Sequence, residues 1–313
     1  MAAALEISLD KVITVAGNHD VDWKPVHQHP SFNHIIKSLD NSIPTNEQNL
    51  CNEFWNKNYI IKEFDDIIIF AYNSVYNFTD ESRSKETDIN NETLDLLRID
   101  LEKLEHINKP KIAISHHHPS KFSNFDLEYK DGDSIENGDN LLDLLSEFNF
   151  SLFLHGHKHI PRLEYKNDLP VFCSGSFSSL ENIKDFSIKN MFHIVELIDK
   201  NSSKYYGHIE TFEFILGRGW KKNTDTEGFF PSNTGFGFIG DIKDLANQVI
   251  QWFTGKGKDM VSYNNLVADF EQILYLTPFQ LSMFEKTLLQ EGKIKIIPSL
   301  FVTPEFITKQ IEQ

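Results

Sequence analysis

The chain has 313 residues, of which 40% are hydrophobic, and its 30 basic and 46 acidic side chains leave a formal charge of −16. That length and apolar content build a large core, enough for one large domain and a smaller one, and exclude wholesale disorder. So acidic a chain is a poor nonspecific nucleic-acid binder, because phosphate backbones demand a basic surface. It does not exclude a phosphate substrate, since bound divalent metals invert the charge locally.

The first ten residues carry Glu6 and Asp10 and lack a basic segment followed by an apolar core, so no leader is expected there. No apolar run is long enough to span a membrane. Cys51 and Cys173 form neither a C-x-x-C pair nor a disulfide framework, which fits a reducing, cytoplasmic setting.

In chain order, Lys11–Ala16 reads as a short buried strand ending at Gly17. Tyr59–Asn73 reads as two strands around Asp65-Asp66. Leu94, Leu97, Leu101 and Leu104 recur at helical spacing, which predicts an amphipathic helix over Asn91–Glu105. Lys111–Ser115 is a strand, Leu141–Phe148 a helix, and Ser151–Leu154 a strand feeding His155. Further strands are expected at Arg162–Tyr165, Val171–Ser174 and Phe192–Ile198. Gly217–Gly240 reads as a long loop or linker. Beyond it Ile242, Leu245, Val249 and Phe253 form one helical stripe, Thr277-Pro278 and Thr303-Pro304 each look like a helix start, and Gly292 closes the helix opened at Thr277. Lys293–Ile297 reads as a strand. The expected organisation is a domain over 1–216, a linker over 217–240 and a mostly helical module over 241–313. That module is nearly neutral and suits packing or homo-oligomerisation better than nucleic-acid binding.

The chemistry gathers at three strand ends: Gly17-Asn18-His19-Asp20, Ser115-His116-His117-His118-Pro119, and His155-Gly156-His157-Lys158-His159. In an α/β sheet, ligands converge at the carboxyl ends of strands. Imidazoles and a carboxamide brought together there suit Zn, Mn or Fe. An H-x-H pair continuing a strand would send both rings to one side.

Taken in order, the three motifs resemble those of the calcineurin-like metallophosphoesterases, whose five motifs are D-x-H, G-D-x-x-D, G-N-H-D/E, a histidine often within H-H-P, and G-H-x-H. The last three match here. The resemblance implies an α/β fold, a two-sheet sandwich flanked by helices, around two divalent metals about 3.5–4 Å apart. It implies hydrolysis of a small phosphomono- or diester, cyclic nucleotides included, by a hydroxide bridging the metals. It assigns Asn18, His117 and His157 to one metal, with His116 the second choice at the position of His117, and His159 to the other. His19 becomes the acid that protonates the leaving oxygen.

The departure from the family is as plain. None of the 13 histidines has an aspartate two residues before it, and no G-D-x-x-D precedes Gly17. The ligands left suffice for one half-site, with His159 alone for the other. Three readings therefore compete: a phosphoesterase impaired in this chain alone, a degenerate, non-catalytic relative that binds one metal or a phosphorylated ligand, and an interaction scaffold in which the tail does the work. Gly240-Asp241-Ile242-Lys243-Asp244 spells G-D-x-x-D but reads as a helix cap, and Gly132-Asp133 with Glu136 as loop. His27, His29, His34, His106, His193 and His208 read as surface or structural residues. His118 is expected to orient a backbone or face solvent, and His155 to pack behind the site.

Overall fold

The computed structural model describes residues 6–20, 43–77, 87–121, 134–178, 181–183, 186–198, 205–222, 230–297 and 306–309. Its elements in chain order are α1 (Gln48–Lys57), β1 (Tyr59–Glu63), β2 (Ile68–Tyr72), α2 (Asn91–Glu102), β3 (Lys111–Ser115), α3 (Gly138–Glu147), β4 (Leu152–His155), β5 (Arg162–Lys166), β6 (Leu169–Cys173), β7 (Glu181–Ile183), β8 (Phe186–Ile188), β9 (Met191–Ile198), β10 (Tyr206–Ile215), β11 (Gly219–Lys222), β12 (Asn233–Phe236), α4 (Ile242–Gly255), β13 (Met260–Ser262), α5 (Tyr263–Asp269), α6 (Pro278–Gly292), β14 (Ile294–Ile297) and β15 (Phe306–Lys309). The chain divides into two compact units, Met1–His159 with Tyr165–Cys173, and Ile160–Glu164 with Ser174–Gln313.

The fold class is α/β. In the first unit the strands run in the order β1-β2-β3-β4-β6. β1 and β2 are antiparallel, whereas β2-β3, β3-β4 and β4-β6 are parallel. Parallel strands covered by helices are apolar along their length, and β6 is buried at every position. On one face, Leu97 and Leu101 of α2 and Leu141, Leu142 and Leu145 of α3 meet Tyr59, Phe70, Tyr72, Ala113 and Phe153. Each such leucine contributes about 1.5–3 kcal/mol by leaving water. Helix α2 starts where the Asn90 side chain accepts the Thr93 N–H at 2.8 Å. On the other face α1 sets Phe54 against Ile60 and Ala71.

The segment Lys11–Ala16 is not a strand. Residues 9–11 form a 3-10 turn, and Val12 is extended but joins no ladder. The Thr14 N–H goes instead to Pro44 O at 2.8 Å, while Ile13 and Val15 pack on the Phe54 cluster. An apolar run needs burial and a hydrogen-bond partner, and here a loop supplies both.

In the second unit β10 pairs with β9 along one side and with β11 and β12 along the other. Phe192 and Phe212 face each other across β9 and β10 with centroids 4.8 Å apart. Thus Gly219–Lys222 and Asn233–Phe236, inside the stretch read as a loop, are strands. Gly219, Thr234 and Gly235 hide a strand pattern that β10 completes. The tail from residue 241 is mostly helical: α4, α5 and α6 enclose Leu245, Val249, Phe253, Leu281, Phe284 and Leu288, closed by the small sheet β13-β15-β14. Thr277 caps α6 in a reciprocal box with Gln280. Gly292 is the last residue of α6 rather than its stop, and Lys293 takes the left-handed position. A Cβ on Gly292 would lie 2.7 Å from Ile250 Cγ1, so packing against α4 explains this glycine. Thr303-Pro304 lies outside the described residues, and the element next to it is strand β15, not a helix.

Candidate metal centre

Strands β3 and β4 are register partners at Ser115 and His155, so the loops leaving them start side by side. Gly156 N–H donates to His116 O at 3.1 Å and ties these loops together. The third loop is a tight turn: Gly17 N–H donates to Asp20 Oδ2 at 2.8 Å, and Asp20 N–H returns to Gly17 O at 3.0 Å. The aspartate of the motif therefore locks the turn that presents Asn18. Its glycine makes room for His116, since a Cβ there would lie 2.7 Å from His116 Cε1.

His116 Nε2 lies 2.8 Å from Asn18 Oδ1 and 3.3 Å from His157 Nδ1. Asn18 Oδ1 can only accept, so His116 Nε2 carries the proton and shares it with the oxygen and with the His157 nitrogen. Three atoms with lone pairs thus surround one proton, an arrangement that equally surrounds one cation. The ring of His117 completes the group, 4.4 Å from that of His157 and 4.8 Å from that of His116 between centroids. One ligating atom from each of His116, His117 and His157 lies within 4.8 Å of the others. Among the described residues this is the one group of three or more His, Cys, Asp or Glu side chains that close.

Burial fixes the charge state of the His116 and His117 rings. It pushes the His116 pKa down to about 3, and the neighbouring His157, His159 and His19 add to the shift. His117, 1% exposed, is held well below the usual histidine range by burial first and then by His157, His116, His118 and Lys158. Neutral imidazoles with lone pairs to offer are what a metal requires.

A model of the calcineurin-like phosphoesterase family matches residues 1–161. The chain belongs to that family. No curated protein matches it. Among solved structures, it is 14% identical to GAP50, the anchor in the inner membrane complex of Plasmodium, over 51% of this chain and 50% of that one, with a TM-score of 0.27. It is 11% identical to a putative 5'-nucleotidase from Staphylococcus aureus in complex with alpha-ketoglutarate, over 72% of this chain and 38% of that one, with a TM-score of 0.31. The chain therefore spans about half the length of the first and less of the second.

In this calcineurin-like phosphoesterase chain the expected site residues divide. Asn18, His117 and His157 come together, and His116 joins them rather than replacing His117. His159 stands close enough to depress His116 but is not in the close group. The alternation expected of H-x-H does not apply, because His157 and His159 have φ of 68° and 57° and the segment turns instead of extending. His19 is exposed beside Asn18. His118 is buried, not solvent-facing, and His155 donates from Nδ1 to Gly156 O at 3.1 Å behind the group. Asp241 caps α4 by accepting the Asp244 N–H at 2.9 Å. His208 pairs with Glu196 at 3.0 Å, and His193 is held by Thr211 and the Gly175 N–H. His27, His29, His34 and Gly132-Asp133 lie outside the described residues. No helix among the described residues is long and apolar enough to cross a membrane.

Sequence reasoning missed Ser74, two residues beyond the end of β2 and in contact with His117. Its only signal is its place at a strand end between polar and turn-forming residues.

Proposed function

We propose that this chain is a metal-dependent phosphoester hydrolase in which Asn18, His116, His117 and His157 hold one divalent cation, Mn, Fe or Zn. The observation that carries the reading is the approach of three histidine ligating atoms to within 4.8 Å beside the Asn18 carboxamide. The substrate would be a small phosphomono- or diester, with cyclic nucleotides in its range. A bound cation supplies Lewis-acid polarisation of the phosphoryl oxygen and acidifies water. Of the chain's own residues, Asn18, His116, His117 and His157 would hold the cation, and exposed His19 gives its proton to the leaving oxygen. The buried thiols Cys51 and Cys173 support a cytoplasmic setting. We assign residues 241–313 to assembly, with pairing of two copies as the simplest form.

A second reading has its own support. The close group contains histidines and no Asp or Glu among the described residues, so no carboxylate joins it. That favours a degenerate, non-catalytic binding or scaffold protein. The deciding experiment assays the purified chain with Mn against bis-p-nitrophenyl phosphate and cyclic nucleotides, beside His157→Ala. Turnover lost in the variant supports the hydrolase. A bound cation without turnover supports the scaffold, and neither binding nor turnover sinks both.

A further inference from the structure

Ser74 lies at the carboxyl end of β2, the strand next to β3, and is 1% exposed. Its Oγ is 2.9 Å from His117 Nδ1 and accepts the His117 backbone N–H at 3.2 Å. On the far side, the buried Ser115 donates its hydroxyl to His117 O at 2.6 Å. His117 is therefore gripped at its ring, its N–H and its carbonyl by two buried hydroxyls from neighbouring strands.

We propose that Ser74 is the positioning residue of the metal centre, setting which nitrogen of His117 faces the cation. The inference rests on the three-histidine site proposed above. An imidazole has two nitrogens, and the one that binds metal must lose its proton to the other. With Ser74 Oγ standing against Nδ1, the proton belongs on Nδ1 and the Nε2 lone pair is the one left for the ion. A serine oxygen has two acceptor positions, one for the backbone N–H and one for Nδ1–H, so the grip is chemically complete. The same contacts stop the ring from turning about its Cβ–Cγ bond, which fixes the direction of the lone pair. The facing nitrogens of His116 and His157 are aligned differently, by the proton they share or by the ion that replaces it. His117 is thus the pre-set ligand around which the other two close. Removal of an outer partner of a metal-bound histidine typically costs about 10–100-fold in metal affinity.

The test is calorimetric titration of the full chain with Zn. Ser74→Ala should weaken binding about 10–100-fold. Ser74→Cys, similar in size but a poor acceptor, should behave alike, and Ser74→Thr should keep near-native affinity. In the Zn-loaded, ¹⁵N-histidine-labelled chain, His117 should carry its proton on Nδ1 and exchange it slowly, and exchange should quicken in Ser74→Cys. Circular dichroism and gel filtration identify any variant that fails to fold. Native affinity in folded Ser74→Ala or Ser74→Cys, or a Zn–Nδ1 bond at His117, overturns the proposal. His157→Ala separates the two levels. If it binds Zn as the native chain does, or if the native chain binds none, the three-histidine site itself is wrong. If it loses Zn while the Ser74 variants do not, only the role of Ser74 is wrong.

Discussion

His116 Nε2 stands 2.8 Å from Asn18 Oδ1, although the two residues are 98 positions apart in the chain. That contact makes two loops into one centre, and it depends on the absence of a side chain at Gly17. This arrangement and the fold around it have four measurable consequences.

The purified chain should bind about one equivalent of Mn or Zn, and fewer than two. One group of three close histidines exists among the described residues, and His159 is outside it. Elemental analysis after gel filtration checks this. His116→Ala and His157→Ala should lose the ion, and His159→Ala should retain it. Two tightly held ions would mean that ligands come from residues outside this group.

Gly17→Ala should weaken that single site about tenfold or more, an effect like that of losing an orienting partner. The new methyl would press on the His116 ring at 2.7 Å and move Nε2 away from Asn18. Metal titration reads the loss. Unchanged affinity would show that His116 is free to shift without harm.

His19→Asn should lower turnover on esters with poor leaving groups about 10²–10⁴-fold, the usual worth of a general acid. A p-nitrophenyl ester needs no proton on its leaving group and should be little affected. Metal content should not change, because His19 is exposed and outside the close group. Equal losses on both substrates would remove the acid role.

The second unit should lose stability as the solution is acidified from about pH 6.5 to 4. Burial lowers the His193 pKa to about 4. Its Nε2 accepts the Gly175 N–H at 3.1 Å, and Nδ1 donates to Thr211 Oγ1 at 2.9 Å, so only the neutral ring fits. Across that range the unfolded chain binds a proton that the folded one refuses, so stability rises with pH, and the full difference is about 3 kcal/mol. Above pH 6.5 both states are neutral and the effect vanishes. Urea unfolding at several pH values, for native protein and His193→Asn, measures it. Equal slopes in the two proteins would contradict this account.

Much of the site was legible because its motifs are short and local. G-N-H-D is a turn closed by its own first and last residues, Gly17 and Asp20, so four letters carry both shape and ligand. The strands β1, β2, β3 and β4 were legible for a similar reason: the buried strands of this sheet are apolar runs, and Asp65-Asp66 breaks the run between β1 and β2. The strand expected at Lys11–Ala16 shows the limit. Apolar residues record that Ile13 and Val15 are half-buried, but not whether a neighbour offers a ladder of hydrogen bonds. Strands β11 and β12 failed in the opposite sense, since their partner β10 supplies the pairing that their own composition conceals.

The sequence by itself determined the family, the α/β class, the histidine ligands to be expected after β3 and β4 and the lack of a D-x-H pair. These are properties of residue type and of spacing over a few positions, where chain geometry leaves little choice. Only the tertiary structure decided that His116 enters the centre together with His117, that His159 stands apart, and that Ser74 holds His117. Those outcomes depend on left-handed turns at His157 and His159 and on contacts between loops of neighbouring strands. No local pattern encodes them, because the partner that fixes each ring lies tens of residues away.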